Sequence, residues 1–374
     1  MIARNVSSSS LDAEVVAREL ARGLADPSLR FACVFADWRI EPARLAHELQ
    51  RALSPAPVAG CTTIGVVSAA SDATAAALGF YGDWLRVGIG IAPELSKSPL
   101  ARSRDAVSRA AGALGATPET LDPSRHVALA FVDGSCGHEE AFCIGSAAAA
   151  PQIRVVGGSA ATELGSTRRS FVWALGEAIS DAGIVIVLDS AHPYHVVASS
   201  HLVATELKTV VTAASGRVVD ELDGRPAAER LRAMVAQLGE TLDDRQPSQV
   251  SLARFVGGAP YVRSITRLDG PRIQLASAVE VGHVLQLMRP GDLIGRTRRD
   301  LDEALDRVGG ELAALLAFSC IGRHWEAASR GLTDELARTY AAYPTTGFQS
   351  YGEQTGMLLV NHTLTGLAIG AAPR

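Results

Sequence analysis

The sequence predicts an α/β fold of mixed sheets with helices packed on them, built from repeated strand–helix–strand–hairpin units. Three observations carry this reading. Apolar residues make up 47% of the 374 residues, enough to form a sizeable core. Aromatics are only 5% while glycine numbers 35, a mixture that suits turns and close-packed strands more than a helical bundle. One order of elements also recurs three times along the chain.

The first helix follows Ser7–Ser10, with Ser9 or Ser10 as cap. Asp12 and Glu14 lie at its positive end, and Val15, Val16, Leu20 and Leu24 form its apolar stripe. The first unit then reads strand 31–37, helix 41–53 with Pro42 in its first turn, strand 57–65, and an antiparallel pair at 76–82 and 84–92. The second reads strand 126–133, helix 138–150, strand 153–158, and the pair 170–175 with 183–189. The third reads strand 313–320, helix 328–342, strand 346–353, and the pair 357–361 with 364–369. The repeat lies in pattern, not in identity. Other material separates the second and third units. It comprises strand-like runs at 193–201 and 208–213, a helix opening at Arg225-Pro226, and strand patterns over 249–289. A soft boundary near 215–225 divides the chain into domains 1–220 and 221–374.

Charge and processing signals narrow the function classes. Lys and Arg number 35 against 40 Asp and Glu, a net charge of −5. That excludes nucleic-acid binding through broad phosphate neutralisation. No apolar run reaches membrane-spanning length, and the N-terminus lacks the apolar stretch of a secretory signal. Five widely spread cysteines do not form a disulfide framework, and the expected location is the cytoplasm.

The common catalytic signatures fail. There is no phosphate-cradling P-loop, no Gly-x-Ser-x-Gly elbow and no His-Glu-x-x-His. Gly88-Ile-Gly90 is followed by Pro93 where a dinucleotide fingerprint needs glycine. Cys136, within Asp133–Glu140, starts a helix where a thiol pKa can fall, but a small residue in a strand-to-helix turn is the plainer reading. Cys136, His138 and Cys143 lack the paired spacing of a structural zinc site, and buried thiols are preferred. His192, His195 and His201 fall within ten residues. On one strand, the last two would lie about 20 Å apart, too far to share a metal. Any one alone could be an axial haem ligand, the competing reading being a histidine on a sheet edge.

The densest polar set lies in the third unit. Ser319-Cys320 ends a buried strand, Gly322-Arg323-His324-Trp325 follows, and Tyr351-Gly352-Glu353 ends the neighbouring strand. If these strands are parallel neighbours, their carboxyl ends meet where open α/β sheets bind ligands. Arg323 and Glu353 then lie within ion-pair reach of each other or of a small zwitterion. A structural brace is the other reading. Cys320, Arg323, Tyr351 and Glu353 are the expected ligand contacts. Gly60-Cys61-Thr62 and Gly157-Gly158-Ser159 hold the corresponding positions in the first two units, which adds Cys61 and Gly158.

Several segments together resemble the FIST family of sensory domains. They are Val58-Ala-Gly-Cys-Thr-Thr63, Val155-Val-Gly-Gly-Ser-Ala160 and Val218-Val-Asp-Glu-Leu-Asp-Gly-Arg-Pro-Ala227 towards the N-terminus. Towards the C-terminus they are Phe318-Ser-Cys-Ile-Gly-Arg323, Glu335, Gly347-Phe-Gln-Ser-Tyr-Gly-Glu353 and Asn361-His-Thr363. The likeness runs from about residue 30 to 370, and makes 1–220 resemble the N-terminal and 221–374 the C-terminal FIST domain. It implies a small-ligand sensor of bacterial signal transduction, not an enzyme. The ligand would be haem with nitric oxide, or a small metabolite such as an amino acid. It also implies a separate partner, such as a histidine kinase or a cyclic-di-nucleotide signalling protein. For haem, the expected axial ligand is His201, then His362. A homodimer is left open. The alternatives are an enzyme with Cys320 as nucleophile, Arg323 and Glu353 in support and His324 as neighbouring base, and an interaction scaffold.

Overall fold

The computed structural model describes residues 2–70, 72–163, 167–244 and 249–372. Its first unit comprises β1 (Ala3–Ser8), α1 (Ala13–Leu24), β2 (Leu29–Asp37), α2 (Pro42–Leu53), β3 (Val58–Thr63), β4 (Val66–Val67) and β5 (Ala75–Tyr81). The second comprises β6 (Leu85–Ala92), α3 (Pro99–Ala113), β7 (His126–Asp133), α4 (Glu139–Ala149), β8 (Arg154–Ala160), β9 (Val172–Ala174), β10 (Glu177–Ile179) and β11 (Gly183–Ser190). The third opens with β12 (Tyr194–Ser199) and is interrupted by an insertion. Its strands are β13 (Val203–Ser215), β14 (Val218–Leu222), β15 (Arg225–Pro226), β16 (Ser251–Val256), β17 (Ala259–Asp269), β18 (Arg272–Leu275) and β19 (Val284–Arg289), with helix α5 (Ala227–Gln237) between β15 and β16. The unit resumes with α6 (Leu293–Arg307), β20 (Leu312–Cys320), α7 (Ile321–Ser329), α8 (Thr333–Ala341), β21 (Thr345–Ser350), β22 (Glu353–Thr355), β23 (Leu358–Val360) and β24 (Leu364–Gly370).

The three units build the same sheet. In each, a central strand pairs in parallel with the next one: β2 with β3, β7 with β8, β20 with β21. On its other side runs an antiparallel strand, respectively β5, β11 and β24, edged by β1, β6 and β12. The sequence expects the closing strands of each unit to pair with one another. They do not. β4 of the first unit pairs with β21 of the third, β9 of the second with β3 of the first, and β22 of the third with β8 of the second. Each unit therefore completes the sheet of another, and the exchange closes into a ring. Alternation along a strand shows which face is buried, but it does not name the strand alongside.

The ring converges on one core. Phe35, Phe131 and Phe318 hold matching positions on the three central strands, opposite Cys61, Gly158 and Phe348. Their rings meet edge to face, with centroids 5.5, 5.4 and 6.1 Å apart, the arrangement aromatic quadrupoles favour. Gly60, Gly157 and Gly347 also match. A Cβ at these positions would lie 1.6, 1.8 and 1.7 Å from the carbonyl oxygens of Val34, Ala130 and Ala317. Only glycine lets the paired backbones come this close.

The insertion is a barrel. Its strands run in the order β13-β19-β16-β17-β18-β14, and β13 pairs again with β14 to close the sheet. Val211, Leu222, Leu252, Ile273 and Leu287 fill it, and α5 plugs it with Leu231, Met234 and Val235. The boundary expected at residue 220 falls inside β14. The barrel is fastened to the second unit. Arg217 reaches Glu139 at 2.9 Å and Glu140 at 2.7 Å, and the amide of Ala278 donates to Glu140.

Local structure departs from the sequence pattern at several element ends. Asp12, not Ser9 or Ser10, caps α1, its Oδ1 accepting from the amides of Glu14 and Val15 at 2.9 and 3.0 Å, while Ser7 and Ser8 belong to β1. The helix expected at 328–342 is two helices, and the first starts directly after β20 at Ile321. The strand expected through 353 ends at Ser350. Among the described residues, no helix is long and apolar enough to cross a membrane.

Candidate functional site

Because α7 begins at once after β20, Arg323 and Glu326 lie three apart on its inward face. Arg323 is fully buried. Its Nη2 donates to Thr297 Oγ1 of α6 at 2.6 Å, and its Nη1 faces His201 Nδ1 at 3.3 Å. His201 lies between β12 and β13, where the chain enters the barrel. Its Nε2 is 2.7 Å from Oε2 of Glu326, and Nε2 of His362 is 2.8 Å from the same oxygen. Arg330 donates to the other Glu326 oxygen. Four separate segments thus meet in one buried relay: α6, the barrel entry, α7 and the β23–β24 turn.

The protons of this relay can be placed. A guanidinium only donates, so Nδ1 of His201 must accept and its hydrogen sits on Nε2, pointing at Glu326. Burial pushes His201 down to about 4, so the ring is neutral. Burial works to raise Glu326, but the hydrogen bonds of His201 and His362 outweigh it and hold the carboxyl well below its ordinary range.

His201, Glu326 and His362 bring their donor atoms within 4.8 Å of one another, close enough to suggest a metal. The residues as placed do not fit one. The Nε2 lone pair of His201 is replaced by a proton, and two guanidinium groups adjoin the cluster. Haem fits no better. Both Nε2 atoms face Glu326, and Nδ1 of His362 has no partner but packs against Gly322, where a Cβ would lie 3.1 Å away. Neither histidine turns a free nitrogen towards a space for a macrocycle. His192 and His195 do not join them: His192 is buried, with Nδ1 2.9 Å from the Gly370 carbonyl, and His195 is half-buried on β12.

Arg323 and Glu353 make no ion pair. β20 and β21 are parallel neighbours, with Cys320 opposite Ser350, as expected. The chain then turns at Tyr351 and Gly352, and Glu353 enters β22, in the sheet of β8 and opposite Gly158. There its carboxyl accepts from Ser350, from Thr363 Oγ1 at 2.5 Å and from the Cys320 thiol. Burial without a cation pushes it up to about 8. Tyr351 turns aside and its hydroxyl donates to the Thr162 carbonyl. Cys61 lies in the apolar core. Of the six expected ligand contacts, the fold gathers Cys320, Glu353 and Gly158, and separates Arg323, Tyr351 and Cys61 from them.

The arrangement is unlike that of a thiol nucleophile. His324 Nε2 lies 3.1 Å from Ser319 Oγ, not on Cys320, and Tyr340 donates to the same hydroxyl at 3.0 Å. Burial and then the Glu353 carboxyl push the Cys320 thiol up, the opposite of activation. Cys136 and Cys143 are free thiols, also pushed up by burial. Sequence reasoning missed Thr297, Glu326 and Tyr340. An earlier helix start, at Ile321, would have put Glu326 on the face of Arg323.

The FIST N domain model matches residues 30–225 and the FIST C domain model residues 227–355. A search of curated proteins gives no match. Among solved structures, the chain is similar to a cyanuric acid hydrolase from A. caulinodans, 12% identical over 99% of each chain, with a TM-score of 0.43.

Proposed function

This chain belongs to the FIST family, whose domains are associated with sensory signal transduction, and on that premise we propose that it is the ligand-binding member of a signalling pair. It works in the cytoplasm and passes its state to a separate protein, such as a histidine kinase or a cyclic-di-nucleotide enzyme. Its ligand is a small charged metabolite such as an amino acid. One observation supports this reading best: a fully buried guanidinium with no carboxylate within ion-pair distance among the described residues, part of a relay that spans four segments of the fold. Removing such a charge from water costs several kcal/mol, so a network of this kind marks a functional region more often than a surface ion pair does. Its reach also suits transmission, since α6, α7, the barrel entry and the β23–β24 turn must move together or break hydrogen bonds. The haem reading has no such support, because both histidines spend Nε2 on Glu326.

A thermal-shift screen of small charged metabolites, run beside a haem titration, tests the proposal. The expected result is stabilisation by at least one metabolite and, in the haem titration, no shift or sharpening of the band of free haem. A chain that no metabolite stabilises, or one that shifts and sharpens the haem band, would overturn it.

A further inference from the structure

The flank of the buried relay carries space for a ligand. A cavity of about 360 Å³ lies between α6 and α8, lined by Arg298, Glu335, Arg338, Thr339, Ala342 and Tyr343. That volume is within the range of small-molecule sites, about 300–1,000 Å³. On α8 the three residues Glu335, Arg338 and Thr339, continued by the C-cap Ala342, recur at helical spacing and so share one face.

Most charges on α6 are paired, and those around the cavity are not. On α6, Arg296 pairs with Asp300, Arg299 with Asp292 and Arg307 with Glu303. On α7, Glu326 pairs with Arg330. Arg298, Arg338 and Glu335, which face the cavity, make no ion pair with any described residue. Two free guanidinium groups and one free carboxylate around one hollow are complementary to a molecule carrying both charges. We propose that this cavity binds a small zwitterion, its anionic head on Arg298 and Arg338 and its cationic group on Glu335. The assignment rests on the sensor reading and gives it a site.

The same two helices connect the cavity to the interior. Arg298 adjoins Thr297, which accepts from Arg323. Thr339 adjoins Tyr340, whose hydroxyl reaches Ser319 at the end of β20. A ligand that draws α6 and α8 together therefore acts on the Arg323 relay from one side and on Ser319 and His324 from the other.

Titration calorimetry of the full chain with the proteinogenic L-amino acids tests the site, with inorganic phosphate as an anion lacking the cation. Arg298, Arg338 and Glu335 are exposed, so their variants keep the fold. The expected result is an amino acid whose affinity falls about tenfold or more in R298A, R338A and E335Q. Phosphate binding should fall in the arginine variants and not in E335Q. An amino acid that binds all three variants as it binds the wild type overturns the cavity assignment and leaves the sensor reading standing. So does a chain that ignores every amino acid yet responds to another metabolite. A chain that responds to no metabolite overturns both.

Discussion

Arg323 faces Nδ1 of His201 at 3.3 Å, and this contact decides where the imidazole carries its proton. With the hydrogen on Nε2, His201 donates to Glu326 and has nothing to offer an iron atom. Haem titration is therefore expected to leave the band of free haem, near roughly 400 nm, unshifted and unsharpened, because no axial ligand is supplied. His201→Ala should instead lower stability by roughly 2–4 kcal/mol, because Arg323 and Glu326 lose a buried partner. Absorbance and urea unfolding of the two proteins check both statements. A shifted, sharpened haem band that H201A abolishes would sink the assignment.

Four buried groups pull the pH dependence of stability in opposite directions. His201 has its pKa lowered from 6.5 to about 4, so between those values the unfolded chain binds more protons than the fold. Stability is then lost as pH falls from 6.5 towards 4, and Glu326, also lowered, extends the loss below 4.5. Glu353 is raised from 4.5 to about 8, and Glu139, where burial outweighs Arg217, from 4.5 to about 7. For these two the fold binds more protons, so their contribution is lost as pH rises from 4.5 towards 7 and 8. Glu353→Gln mimics the protonated carboxyl. Urea midpoints of this variant should fall less than those of the wild type between pH 5 and 8. Parallel curves would show that Glu353 is ionised throughout.

Gly60, Gly157 and Gly347 should fail alike when changed to alanine. In each case the new methyl meets a carbonyl oxygen of the paired strand at well under contact distance, and backbone cannot move aside as a side chain can. Each variant is expected to lose about 4 kcal/mol or more, or to be recovered only as insoluble protein. Gly112, which has open space around its Cβ position, is the control and should tolerate alanine. A soluble Gly157→Ala protein with an unchanged urea midpoint would contradict the close approach.

The five thiols should differ sharply in reactivity. Cys33, Cys61, Cys143 and Cys320 are buried, and only Cys136 is partly open. Burial pushes Cys320 up and Glu353 adds to it, so neither access nor thiolate is available. A thiol reagent at neutral pH is expected to modify Cys136 alone, slowly, and all five only after unfolding. Mass mapping that finds Cys320 modified first would revive it as a nucleophile.

Much of the architecture was legible in the order of elements. Buried runs such as Phe31–Asp37, His126–Asp133 and Ala313–Cys320 are central strands, and the intervening helices place their partners in parallel. Strand partners were less legible, because the short strand Val66–Val67 pairs with Gly347 and Phe348 far along the chain. The candidate site divides similarly. Arg323 was singled out by its place beyond a strand end, and His201 and His362 through the family resemblance, and the fold does bring them together. Glu326, which joins them, was hidden because Gly322-Arg323-His324 reads as a loop and not as the first turn of a helix. Glu353 was expected on the strand of Tyr351, and the turn at Gly352 carries it into a different sheet.

Three units that finish one another's sheets cannot mature one at a time. As the chain is made, β4 waits for β21, and the Phe35–Phe131 contact stays uncovered until Phe318 arrives. Pairings this distant in sequence slow folding, because chain entropy is lost before they repay it. The completed ring should accordingly open as a whole or not at all. A fragment ending near residue 225 has neither β21 nor β22, and so leaves β4 and β8 as raw edges open to pairing with other chains. Assembly is a last-step event for this protein, and chaperone demand during synthesis is expected to track the delay before β20 emerges.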